Sequence, residues 1–149
     1  MTTFTGNQID FLDALKDLVE LEYDTKEAYE EAIKKISNEN YKVKLSEFYK
    51  DHERHIIELS KILQNHNEQA PTKPSAVKSF ITKGKVVVAE IIGDKTILYA
   101  MASNEIDTNL AYERINARHD VWDDAKEIVR LALKDEKKHK KWLDDETNQ

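Results

Sequence analysis

The sequence contains no cysteine, and this absence excludes several kinds of chemistry. Disulfide bonds, thiolate nucleophiles, cysteine-ligated zinc and iron–sulfur clusters all require a thiol group. Any metal ion in this protein must therefore be held by histidine nitrogens or by oxygen atoms. Glycine and proline are scarce as well, with three and two residues in a chain of 149. Because loop-rich and disordered chains use more of both residues, we expect one helical domain over residues 1–149.

The chain also lacks an excess of basic residues and a long apolar run. Its formal net charge is −6, with 35% of residues charged, and this balance disfavours a basic face that neutralises nucleic-acid phosphates. The N-terminus has no basic segment followed by an apolar run. No stretch approaches the roughly 20 apolar residues that span a bilayer. We therefore expect a cytoplasmic protein with neither a nucleic-acid partner nor a membrane partner.

Apolar residues recur at helical spacing in four long segments. The approximate bounds of the predicted helices are 5–36, 40–65, 94–118 and 120–145. An aspartate at the start of a helix commonly accepts hydrogen bonds from the free backbone N–H groups there. We therefore predict that Asp94 is the N-cap residue of the third helix and that the fourth helix starts at Asp120.

The segment between the second and third helices has a different composition. The stretch "NHNEQAPTKPS" carries both prolines and is predicted to be a loop. An apolar stretch follows, "AVKSFITKGKVVVAEIIG", which we predict to contain a short helix, although "KVVVAEII" alone is also compatible with a buried strand. The expected fold is an all-α four-helix bundle. Two helix hairpins, about 5–65 and 94–145, are joined in it by a long crossover over 66–93.

Two sequence patterns occur once in each predicted hairpin. "ELEYDTKEAYEEAI" aligns with "SNEIDTNLAYERIN", and "KDHERH" aligns with "KDEKKH". Each hairpin therefore has one helix with a Glu-x6-Tyr pattern and one helix with a polar residue three positions before a histidine. This duplication predicts a bundle with pseudo-twofold symmetry.

Six of the repeated polar residues fall on the apolar faces of the predicted helices. They are Glu22, His52, His55, Glu105, Glu136 and His139. Burying an unpaired carboxylate costs many kcal/mol, so a core that contains several acids requires a compensating cation. A divalent metal is the simplest compensation, and residues three apart on a helix, such as Glu136 and His139, share the face that such an ion needs.

The donor types narrow the choice of metal. Oxygen and imidazole donors without sulfur suit iron or manganese, and zinc can also bind such a set. Tyr29 and Tyr112 lie two helical turns beyond Glu22 and Glu105, and we predict that their hydroxyls donate hydrogen bonds to ligands near the opposite hairpin. The alternative is that both tyrosines are core aromatic residues with satisfied hydroxyls.

These motifs resemble those of the ferritin-like di-iron carboxylate proteins, and most closely the rubrerythrin and bacterioferritin branch. That superfamily has one glutamate from each of two helices and a Glu-x-x-His pair from each of the other two, in a bundle with one long crossover. The resemblance extends from about Leu15 to Leu143. It implies a centre with two iron ions and the ligands Glu22, His55, Glu105, Glu136 and His139.

His52 departs from that pattern, because it stands where the superfamily has a glutamate. A neutral imidazole there removes one negative charge and one carboxylate bridge between the ions. His52 is therefore interpreted as a ligand, as a hydrogen-bonding neighbour of the ligands, or as the mark of a duplicated bundle that has lost one metal.

Two functions remain open from the sequence. In the first, the protein binds two Fe(II) ions and oxidises them with oxygen or peroxide, in iron handling or in protection from oxidative stress. In the second, it is a metal-poor bundle that acts as a stress-associated interaction or scaffold protein. In either case the apolar run from Val86 to Ile92 is longer than one crossover can obviously bury, so we also predict a homodimer that uses this region or an adjacent helix face.

Overall fold

The computed structural model describes residues 3–75 and 93–148. Within these ranges the chain forms four helices and no strand, and the helices pack as a bundle. The helices are α1 (Phe11–Lys35), α2 (Glu39–Asn65), α3 (Asp94–Ala117) and α4 (Lys126–Thr147). The most extensive contacts join α1 to α2 and α3 to α4, while α1 also packs on α3 and α2 on α4. The prediction of an all-helical bundle of four helices is therefore confirmed.

Other parts of the predicted architecture lie largely or wholly outside the described residues. These parts are most of the crossover over 66–93, its short helix, and the run Val86 to Ile92 that we assign to a homodimer contact. They stay predictions. Among the described residues, no helix combines the length and the apolar character that crossing a bilayer requires.

The starts of three helices differ from the prediction. α1 starts at Phe11, with Asp10 as its N-cap residue, and not near residue 5. Gly93 precedes α3 and provides no side-chain cap, so Asp94 is not the N-cap residue. The Asp94 carboxylate instead accepts hydrogen bonds from the backbone N–H groups of Ser37 and Asn38, at 2.8 and 2.9 Å. Asp94 therefore fixes the turn between α1 and α2 to the start of α3, a tertiary contact that helix-capping rules do not consider.

The fourth helix starts at Lys126, later than Asp120. The Asp120 carboxylate pairs with the Arg118 guanidinium at 2.7 Å, and Arg118 also donates to the backbone carbonyls of Gly6 and Gln8 at 2.8 and 2.7 Å. The acid that was expected to start α4 therefore orients an arginine that holds the N-terminal segment against the bundle.

The core consists of two apolar clusters. One cluster lies around Leu15, Leu18, Leu63 and Ile115, and the other lies around Leu45, Phe48 and Met101. The residues between these clusters along each helix are the polar ones that the repeat places on the inner face. The bundle thus has a polar layer in its middle, sealed by apolar packing at both ends.

Candidate metal centre

All six polar residues that the helical spacing places inside the bundle lie in this middle layer. Each is at most 1% exposed, and each helix contributes at least one of them. α1 provides Glu22, α2 provides His52 and His55, α3 provides Glu105, and α4 provides Glu136 and His139. Their donor atoms form two groups, and each group has four residues whose atoms lie within 4.8 Å of one another.

The first group, which we call site A, contains Glu22, His55, His52 and Glu136. Nδ1 of His55 lies 3.4 Å from Oε2 of Glu22 and 3.3 Å from Oε1 of Glu136. Nδ1 of His52 lies 3.0 Å from that Glu22 oxygen and 3.4 Å from that Glu136 oxygen. Two nitrogens and two oxygens from three helices therefore face a common point.

The second group, site B, repeats this arrangement with Glu105 and His139 in place of Glu22 and His55. Nδ1 of His139 lies 3.5 Å from Oε1 of Glu105 and 3.5 Å from Oε2 of Glu136. Nε2 of His52 lies 3.3 Å from the same Glu105 oxygen. The two sites therefore share His52 and Glu136, and each shared residue presents a different atom to each site.

These distances fit metal coordination. Atoms bound to one ion at about 2.0–2.2 Å stand about 3–3.5 Å apart in tetrahedral or octahedral geometry. Four of the donor atoms have no hydrogen-bond partner among the described residues: both carboxylate oxygens of Glu136, and Nδ1 of His55 and of His139. Since a buried polar atom without a partner costs about 1–3 kcal/mol, a bound cation would account for all four. These buried histidines and glutamates could therefore bind a metal ion.

Two aspartates orient the histidines from outside the layer. Oδ2 of Asp135 lies 2.9 Å from Nε2 of His55, and Oδ2 of Asp51 lies 2.8 Å from Nε2 of His139. With an N–H at Nε2 donating to the carboxylate, Nδ1 of each ring is directed toward its site. The Arg54 guanidinium donates hydrogen bonds to both acids, at 3.2 Å to Oδ1 of Asp51 and 2.7 Å to Oδ2 of Asp135.

Asp51 and Asp135 were missed in the reasoning from sequence. The signal was present, because each is the second residue of the repeated Lys-Asp stretches "KDHERH" and "KDEKKH". Both positions are half-buried at the edge of the helix face, so a selection based on inward-facing positions excludes them.

The hydroxyls of Tyr29 and Tyr112 differ in their hydrogen bonding. Tyr29 donates a hydrogen bond of 2.5 Å to Oε1 of Glu105, and Thr108 donates one of 2.9 Å to Oε2 of the same carboxylate. Tyr112 is equally buried, but within the part of the chain that the structure describes its hydroxyl has no hydrogen-bond partner. Burial raises the pKa of the Tyr112 hydroxyl well above its ordinary value, and the nearby charge of the Glu22 carboxylate raises it further.

The charges of the layer balance without a metal. Burial alone lowers the pKa of the three histidines, but the facing carboxylates outweigh it and raise the pKa to about 10 for His52, about 12 for His55 and about 11 for His139. Burial raises the pKa of Glu22, but the charge of His52 outweighs this effect and lowers that pKa to about 2. Burial raises the pKa of Glu136 above its ordinary value. In the metal-free protein, imidazolium groups therefore neutralise the ionised carboxylates.

Comparison with known proteins identifies the family of this chain. The chain has no significant match among curated proteins or among solved structures. Residues 10–118 match the model of the family described as "Domain of unknown function (DUF2383)". The matched range includes α1, α2 and α3, and it ends before α4 begins. Since the match covers more than half of the chain, this protein belongs to the DUF2383 family.

Proposed function

We propose that this protein is a ferritin-like di-metal protein that binds two iron ions and oxidises Fe(II) with oxygen or peroxide. Such a reaction serves iron handling or protection from oxidative stress. One observation carries the proposal: donor atoms converge in two groups that share His52 and Glu136, and four of those atoms have no hydrogen-bond partner among the described residues.

The arrangement of the helices supports the ferritin-like part of the proposal. α1 packs on α2 and α3 packs on α4, which is the pairing that two consecutive hairpins produce. Glu22 and Glu105 come from the first helix of each pair, and the residues three positions apart come from the second. Apart from His52, which stands where those proteins have a glutamate, this distribution of candidate ligands over four helices is the one that ferritin-like di-metal proteins use.

The donor set favours iron, with manganese and zinc as alternatives. Three imidazoles and three carboxylates without sulfur suit these borderline and hard cations. When bound, a pair of Fe(II) ions supplies two electrons, the number needed to reduce peroxide to water or oxygen to peroxide. The chain's own residues exclude bulk water from this layer, and Tyr29 and Thr108 fix the orientation of the Glu105 carboxylate.

Anaerobic titration with Fe(II), followed by exposure to oxygen, tests the proposal. Wild type is expected to bind about two equivalents per chain, as paired-metal sites do, and to oxidise them faster than free Fe(II) in the same buffer. Glu136→Ala should lose most of both properties, because Glu136 contributes an oxygen to each site. Glu113→Ala, which changes an exposed glutamate of α3, is the matched control and should behave as wild type.

A second candidate function follows from the charge balance of the layer. Because the pKa of each buried histidine is raised above 6.5, imidazolium charges offset carboxylate charges in the metal-free layer at neutral pH. This observation favours a metal-poor bundle that acts as a stress-associated interaction or scaffold protein. If wild type binds no more iron, manganese or zinc than Glu136→Ala does, the di-metal proposal fails and the scaffold function stands.

A further inference from the structure

His52 contributes to both sites, unlike the other two buried histidines. His55 belongs to site A and His139 belongs to site B, whereas His52 belongs to both. Of the residues that the structure describes, Glu136 alone shares this property, and it reaches the two sites with two separate carboxylate oxygens. The way in which His52 reaches both sites determines how far apart two ions would lie.

The two ring nitrogens of His52 face different sites. Nδ1 lies 3.0 Å from Oε2 of Glu22 and 3.4 Å from Oε1 of Glu136, and both oxygens belong to site A. Nε2 lies 3.3 Å from Glu105, a donor of site B. The in-plane bonding directions of the two ring nitrogens point away from each other, so a ring that has lost both N–H protons can bind one ion on each side.

Neighbouring rings hold His52 in this orientation. The ring of Tyr29 lies 5.0 Å from the ring of His52, centroid to centroid, and the ring of His139 lies at 5.1 Å. The side chain is fully buried, and His55 approaches its other side with ring centroids 5.8 Å apart. A rotation that directed both nitrogens toward one site would have to displace this packing.

We propose that His52 binds both metal ions, one through Nδ1 in site A and one through Nε2 in site B. This inference rests on the proposed di-metal function and specifies how the ions are held. Each ring nitrogen must lose its proton to bind an ion, so both protons of the metal-free imidazolium are released to solvent and the ring bridges as an imidazolate. Glu136 then binds each ion through one oxygen.

This mode of binding sets a wide separation between the ions. With metal–nitrogen bonds of about 2 Å and ring nitrogens about 2 Å apart, the ions lie about 6 Å from each other. Paired metals that act jointly on one substrate are typically about 3.5–4 Å apart. His52 therefore makes the two ions more independent than a bridging glutamate would, and wild type is expected to oxidise Fe(II) more slowly than His52→Glu.

A crystal structure of the wild-type protein loaded with Co(II) tests the proposal directly. Co(II) binds nitrogen and oxygen donors as Fe(II) does, and its anomalous scattering locates each ion. Two peaks about 6 Å apart, each about 2 Å from a different ring nitrogen of His52, are expected. Two ions closer than about 4 Å, or a bond from His52 to just one ion, would overturn the inference but leave the di-metal proposal intact. Absence of Co(II) from the layer would overturn both.

Matched variants test the same point in solution. His55→Ala removes a donor of site A alone, so Co(II) titration should show one ion weakened by at least about 10-fold and the other nearly unchanged. His52→Ala should weaken both ions, because it removes a donor from each site. If His52→Ala resembles His55→Ala and affects one ion, His52 does not bridge. In His52→Glu, both ions should bind with a shorter distance between them. If a variant does not fold, the wild-type crystal structure with Co(II) still shows whether His52 binds both ions.

Discussion

Replacing Tyr29 by phenylalanine removes one hydroxyl and leaves the shape of the core nearly unchanged. That hydroxyl donates a 2.5 Å hydrogen bond to the Glu105 carboxylate, and both groups are fully buried. Tyr112 has the corresponding position in the other half of the repeat and is also fully buried, but its hydroxyl has no hydrogen-bond partner in the described ranges 3–75 and 93–148. The two substitutions therefore delete the same atom from two similar sites that differ in hydrogen bonding.

The expected magnitudes follow from that difference. A hydrogen bond to a charged group contributes about 1.5–3 kcal/mol, so Tyr29→Phe should lower the free energy of unfolding of the metal-free protein by about 2 kcal/mol. Thr108 still donates to the other oxygen of Glu105, which keeps the loss from being larger. Tyr112→Phe removes a buried hydroxyl that makes no hydrogen bond among the described residues. The free energy of unfolding should therefore stay unchanged or rise by up to about 1 kcal/mol.

Urea denaturation of the two metal-free variants and wild type measures these effects. With a slope near 2 kcal/mol per molar urea, the midpoint of Tyr29→Phe should fall by about 1 M. The melting temperature should fall by about 4–8 °C for a chain of this size. Equal losses in the two variants, or a larger loss in Tyr112→Phe, would refute the assignment of the hydrogen bond to Tyr29.

Three further predictions concern pH, metal affinity and the N-terminal segment. Burial lowers the pKa of the three buried histidines, but the facing carboxylates outweigh it and raise that pKa above 6.5. These histidines therefore stabilise the metal-free protein fully below pH 6.5, and the free energy of unfolding should fall as pH rises from there through about 10 to 12. Urea denaturation at several pH values across that range measures the free energy of unfolding, and a value that does not change with pH would contradict this prediction. Asp51→Ala and Asp135→Ala should each lower the affinity for one ion by about 10–100-fold in a Co(II) titration, whereas Asp124→Ala, which changes an exposed acid, should not. Gly6→Ala should lower the melting temperature more than Gly93→Ala does. Both glycines have a φ near +97°, but only at Gly6 would an added Cβ meet another side chain, at 2.5 Å from Cβ of Arg114. Equal losses in the two variants would exclude that contact.

Burial of the middle layer was predictable because it depends on spacing along each helix. Glu22 and Glu105 continue the apolar stripes of their helices at intervals of three or four residues, and a helix of ordinary geometry cannot turn them outward without exposing that stripe. The helix starts were less predictable. Asp94 satisfies the local rule for an N-cap residue, but a tertiary contact with the turn before α2 uses its carboxylate instead.

The arrangement inside the layer was not predictable from spacing. The inward position of His52 follows from helical periodicity, but the direction of its two nitrogens depends on rings and carboxylates from the other three helices. Asp51 and Asp135 act across the bundle on histidines of the opposite helix, and such pairs become apparent when α2 and α4 are placed side by side. Sequence motifs identify donors, and packing determines which atoms of those donors meet.

Equilibrium dialysis against Fe(II), under anaerobic conditions, determines whether the buried layer is a metal centre. We expect about two iron ions per wild-type chain, as for other paired-metal sites, and close to none for Glu136→Ala under the same conditions. Circular dichroism of both proteins establishes that the variant is folded. Equal iron content in folded wild type and folded Glu136→Ala would contradict the claim that the buried layer is a metal centre.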